Sequence, residues 1–109
     1  MNSNNVITCV KHNRAKIKAG KREESTKMLL DFFKQQQDKA KGLSGYLVLE
    51  NMMDEQESIV ITFWQTKEDM DSFYRPDNKI LSEFVEKVKP LFQVLPERSD
   101  HIVRDFKLI

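Results

Sequence analysis

Six consecutive β-branched or aromatic residues, Ile59-Val60-Ile61-Thr62-Phe63-Trp64, leave the backbone little choice. Their run has the length and composition of a β-strand. It stops at Gln65-Thr66. Thr66 with Asp69 three residues later forms a helix N-cap signal, aspartate standing where a capping box carries glutamate or glutamine. A strand therefore delivers Trp64 directly to the mouth of a helix. Where sheet and helix diverge, the indole either plugs the core or lines a cavity, and the sequence leaves both open.

Upstream, Val6 to Lys18 alternates as an extended stretch. Ile7, Cys9, Asn13, Ala15 and Ile17 share one face; Val6, Thr8, Val10, His12, Arg14, Lys16 and Lys18 take the other. Gly20 breaks the strand. Glu23 and Glu24 then fall in a first helical turn, where the helix dipole favours them. Met28, Leu29, Phe32, Phe33, Gln36 and Ala40 recur at helical spacing, which predicts an amphipathic helix of about five turns. Lys39, Lys41 and Gly42 close it. Leu43 to Glu50 returns to strand character, with Tyr46 and Val48 opposite Leu47 and Leu49, and the polar Asn51 to Glu57 joins two antiparallel strands.

Arg75-Pro76 ends the short helix after Thr66, because the residue before a proline is pushed out of helical geometry. Asp77 can cap the next one. Ile80, Leu81, Phe84, Val85, Val88, Leu91 and Phe92 again follow helical spacing, with Pro90 ending or bending the helix. Leu95 to Asp100 reads as a connector and His101 to Ile109 as a final strand. The polar Asn2 to Asn5 reads as a frayed lead-in.

The order β-α-β-β-α-β predicts an α+β, ferredoxin-like single domain over residues 1–109, both helices covering one face of a four-stranded antiparallel sheet. Yet the second and third strands are apolar on both faces. Leaving the far face wet would cost several kcal/mol at about 25 cal/mol per Å². A second copy of the chain, sheet against sheet, is the economical cover, so a homodimer is expected.

Charge narrows the partners. With 18 basic and 17 acidic residues the formal charge is +1, which gives nucleic acid no electrostatic hold. No apolar run approaches a membrane span, and the start has neither the basic nor the long apolar segment of a signal peptide. Cys9 is the single cysteine, so neither an internal disulfide nor a thiolate metal site within one chain is expected, and a reducing, cytoplasmic setting fits.

GLSGYLVLE, a loop, IVITFWQTKEDMDSFY, FVEKVKPLF and a closing strand together resemble the antibiotic-biosynthesis-monooxygenase (ABM) family of the dimeric α+β barrel superfamily. The resemblance spans nearly the whole chain. His12-Asn13-Arg14 followed by Lys18-Ala19-Gly20 is similar to the first-strand signature of the IsdG-like haem-degrading monooxygenases, where the asparagine matching Asn13 lies in the pocket. The rest of that motif departs. The axial histidine belongs on the helix from Asn78 to Lys89, which has none, Glu83 or a neighbour standing in its place. The tryptophan that presses on haem is matched only by Phe73 or Tyr74.

What the resemblance implies is therefore cofactor-independent monooxygenation of an aromatic, quinol-like molecule in an apolar pocket, with haem degradation as the alternative. By the same resemblance Asn13 and Trp64 are the catalytic candidates, the amide and the indole N–H both able to donate. Phe33, Phe73, Phe84 and Val88 would wall the pocket around a small aromatic ligand. A base would be a pocket carboxylate such as Glu83, or the substrate's own anion. A non-catalytic ligand-binding or scaffold dimer remains the reading from another class. The basic run from Lys11 to Arg22 could form an anion-binding rim but reads first as a solvated edge-strand face, and Met52-Met53 as a lid or a partner contact.

Overall fold

Alternation along the strands decides which residues meet the helices. A computed structural model describes residues 6–109; the lead-in expected over residues 2–5 lies outside them. Strands β1 (Cys9–Ile17), β2 (Leu43–Glu50), β3 (Glu57–Trp64) and β4 (Phe92–Ile102) form one antiparallel sheet in the order β2-β3-β1-β4. Helices α1 (Arg22–Gln36), α2 (Lys67–Phe73) and α3 (Lys79–Val88) complete a ferredoxin-like α+β fold. Along β3 every second residue, Ser58, Val60, Thr62 and Trp64, is buried, while Ile59, Ile61 and Phe63 face the other way and stay half-buried. The main core joins Cys9, Val60 and Trp64 of the sheet to Leu29, Phe32 and Phe33 of α1 and to Met70 and Phe73 of α2. No helix among the described residues is long and apolar enough to cross a membrane.

The helix boundaries follow their caps. Thr66 accepts the Asp69 amide at 3.0 Å, the bond expected from the sequence, and α2 starts there. Helix α3 is capped one residue later than expected. Asn78 accepts the Leu81 amide at 3.3 Å and donates to the Phe73 carbonyl at 2.7 Å, tying α3 to the end of α2, while Asp77 pairs with Arg75 instead. Helix α1 stops at Gln36, about four turns rather than five, and the chain reaches β2 through tightened turns. Gly42 makes the last of these at φ +81°, where a Cβ would lie 2.6 Å from the Asp69 side-chain carbons, so only glycine lets β2 pass under the start of α2.

The largest departure from expectation is β4. It begins at Phe92 and runs through Pro96 to Ile102, whereas the sequence suggested a connector to Asp100 and a strand from His101 to Ile109. Two physical facts let the strand absorb its proline. β4 lies at a sheet edge, and its pairing with β1 shifts between Arg14 and Lys16, a bulge beside Leu95 and Pro96. Beyond Ile102 the chain leaves the sheet and turns back over its open face, where Phe106 meets Phe63 edge-on with ring centroids 5.8 Å apart.

β1 is central, so the basic run is not an edge-strand face. Its charges are used. Lys11 pairs with Asp100 at 2.7 Å, Arg14 with Glu57 at 2.6 Å, and Arg22 donates to the carbonyls of Asn51, Asp54 and Glu57 at 2.9, 2.8 and 3.1 Å. Those three bonds pin the β2–β3 loop, whose tip carries Met52 and Met53 into solvent. The Asn51 amide and Arg14 hold the Glu57 carboxyl below its ordinary range at the foot of that loop.

Candidate functional site

Two helices and a sheet that twist apart leave a gap where their side chains cease to interdigitate. Here it is a cavity of about 80 Å³ between the sheet, α1 and α3. Leu29, Phe32 and Phe33 of α1 and Leu81, Phe84, Val85 and Val88 of α3 supply its walls, with Val60, Phe92 and Pro96 from the sheet. The Phe32 and Phe84 rings stack at 4.2 Å and 16°, joining the two helices across the gap. Three polar residues reach it, each from a different element: Asn13 on β1, Tyr74 at the end of α2 and Arg98 on β4. A larger concavity between Arg14, Glu57 and Glu97 is lined largely by charged side chains, and a larger apolar one lies on the open sheet face against Ile61, Phe63 and Phe106.

The polar groups form one chain of contacts. The Trp64 indole N–H donates to Thr62 Oγ1 at 2.9 Å, and Thr62 Oγ1 lies 3.0 Å from the Tyr74 hydroxyl. Asn13 Nδ2 donates to the Val60 carbonyl at 3.2 Å, and the Asn13 side chain also favours the ionised form of the Tyr74 phenol. Two cations sit against the Tyr74 ring, Lys11 Nζ at 4.7 Å and Arg98 Cζ at 5.3 Å from its centroid. Burial pushes the Tyr74 phenol above its ordinary value, and the Thr62 hydrogen bond, Arg98 and Asn13 only partly offset it. Tyr74 is therefore a neutral phenol at neutral pH, a donor or acceptor and not a base.

The residues singled out from sequence divide. Asn13, Phe33, Phe84 and Val88 line the cavity together. Trp64 and Phe73 do not. Trp64 is fully buried, its ring packed on Phe73 at 5.2 Å and its N–H turned to Thr62, and Phe73 fills the core between Trp64 and Phe32. Glu83 is exposed on the outer side of α3 among Met28, Asp31 and Gln35, and no carboxylate lines the cavity. Arg98 lies in the stretch from Leu95 to Asp100 that the sequence presents as a connector, so no local pattern singles it out. Once β4 is allowed to start at Phe92, alternation and pairing put Arg98 directly opposite Asn13.

The cavity does not fit haem. No histidine or thiol lines it, its one iron-ligating side chain is a phenol held protonated, and its volume is far below the roughly 300–1,000 Å³ of clefts for ligands of drug size. His12 and His101 lie together on the opposite sheet face, ring centroids 6.1 Å apart, as alternation away from Asn13 requires. Among the described residues no cluster of three or more His, Cys, Asp or Glu could hold a metal ion.

No family model and no curated sequence matches the chain. Solved structures do. A candidate antibiotic biosynthesis monooxygenase from Nitrosomonas europaea superposes with a TM-score of 0.78 at 12% identity, over 91% of this chain and 92% of that one. The fold is that of the antibiotic biosynthesis monooxygenases. A second protein so named, from Caulobacter crescentus, gives 0.77 at 13% identity over 91% and 92% of the two chains. A dimeric ferredoxin-like protein from an uncultured marine organism gives 0.73 at 12% identity over 98% and 96%. The likeness of the fold thus spans nearly the whole chain.

Proposed function

We propose that the chain is a small cofactor-independent monooxygenase that holds an aromatic, quinol-like molecule in the cavity between sheet and helices. One observation carries this reading: an amide, a phenol and a guanidinium converge from three elements on a space otherwise walled by Phe, Leu and Val. In an apolar site such groups act with little screening, and donors there favour the ionised form of a bound phenol. The ionised substrate supplies the electrons. Of each O₂ consumed, one atom enters the product and the other leaves as water with the two hydrogens that the substrate gives up. Asn13 is the donor for the substrate oxygen, and the substrate enters as its anion, having given its first proton to solvent water. The fold shared with proteins named as monooxygenases supports the same class. At about 80 Å³ the space suits one ring whose substituted end protrudes toward solvent.

Oxygen-electrode assays with single-ring quinols should give protein-dependent uptake above autoxidation, with one atom of ¹⁸O₂ in the product. Binding without such uptake across the quinol panel would leave a ligand-binding dimer as the function.

The active form in this reading is a two-fold dimer. Leu47 and Leu49 are 43% and 42% exposed on the face away from the helices, beside the half-buried Ile59, Ile61 and Phe63. The dimeric neighbour supports the same assembly. Sedimentation at micromolar concentration should give twice the chain mass, and Leu47→Asp with Ile61→Asp should give a folded monomer; a wild-type monomer would rule the dimer out.

A further inference from the structure

Arg98 is an exposed arginine at the rim of the cavity. Arg14, Arg22 and Arg75 each have a carboxylate within 4.0 Å, whereas Arg98, like Arg104 in the closing segment, has none among the described residues. Arg98 is flanked in sequence by Glu97 and, two residues on, Asp100, yet neither neutralises it. Alternation sends Glu97 to the opposite sheet face, where it opposes Arg14. Asp100 shares the Arg98 face but is held by Lys11 at 2.7 Å. The guanidinium instead rests on the Tyr74 ring at 5.3 Å, at the rim of a cavity lined by no other charged group. The stack leaves its N–H donors free of a carboxylate and limits its rotamers, so little ordering is needed when an anion arrives.

We infer that Arg98 is a specificity-determining residue, and that the cavity selects aromatic ligands bearing an anionic oxygen group, a carboxylate or a phenolate, over neutral ones of the same shape. This rests on the cavity being the substrate site, and it narrows the substrate class to aromatic acids and acidic phenols. The ring would lie against Phe32, Phe33 and Phe84, its charged oxygens toward the Arg98 fork and the Asn13 amide. Guanidinium matches such oxygens two at a time, and the apolar walls keep the attraction from being screened. Lys11 cannot substitute, because Asp100 already neutralises it.

The test is binding, read apart from oxygenation. Benzoate and its neutral isostere benzamide would be titrated into the ¹⁵N-labelled full chain, following the Asn13 side-chain amide by NMR. Benzoate should bind at least tenfold more tightly, and Arg98→Gln should erase that preference, weakening benzoate at least tenfold more than benzamide. Arg98→Lys should restore part of it. A phenol titrated through its own ionisation separates the two anion sources: affinity rising with ionisation includes phenolates, whereas a benzoate-only preference confines the class to carboxylates. Equal affinity for benzoate and benzamide, or a preference surviving Arg98→Gln, overturns the inference. Selective anion binding with no oxygen uptake from any quinol would instead remove the oxygenase reading and leave this one standing.

Discussion

Replacing Trp64 with alanine should cost about 3–5 kcal/mol of stability, the range for emptying a large aromatic site in a packed core. The indole has no solvent exposure, touches Phe73 and Tyr74 and bonds to Thr62, so nothing can collapse into the space without moving α2. Denaturant unfolding followed to its midpoint, with unchanged slope, gives the value. Trp64→Phe isolates the N–H: it keeps most of the ring but removes the donor to Thr62, which should cost about 1–3 kcal/mol. Any loss of oxygenation in Trp64→Phe would pass through Thr62 to Tyr74, since Trp64 does not line the cavity. A loss under 1 kcal/mol for Trp64→Ala would mean that the indole does not anchor the sheet to α2.

Asn13→Ala carries the largest expected effect on activity. Removing the amide from the cavity should lower kcat/KM for a quinol at least tenfold, about 1.4 kcal/mol of barrier. An unpaired asparagine on an apolar face would be costly, and its removal would then not lower stability. Asn13 is paired, however, donating to the carbonyl of Val60, its partner across the β1–β3 ladder. A net loss of about 0.5–1.5 kcal/mol is therefore expected alongside the kinetic effect. The comparison of Asn13→Ala with Asn13→Asp is informative, because a carboxylate there would neutralise Arg98 and repel an anion. Asn13→Ala that destabilises the fold but leaves turnover and ligand affinity intact would make the residue structural.

The sequence by itself determined the architecture. Two amphipathic helices, a Thr66 cap and the alternation along β1 are local signals, each set by a few neighbouring residues, and they suffice for the element order and for which face of β1 meets the helices. They put Asn13 on the helix side and His12 on the other. The tertiary structure alone decided what depends on register and packing. Pro96 looks like a break until an edge position and a bulge allow it into β4, and that shift is what sets Arg98 opposite Asn13. Trp64 had two readings until the packing of α2 closed over it and Thr62 took its N–H. The charge of the site was also invisible in sequence: Lys11, Arg98 and Asp100 are three charges on one face, and only their distances tell which cation Asp100 neutralises and which it leaves for a ligand. Charge pairing is a matter of ångströms between strands that the chain brings together from opposite ends, and no local pattern encodes it.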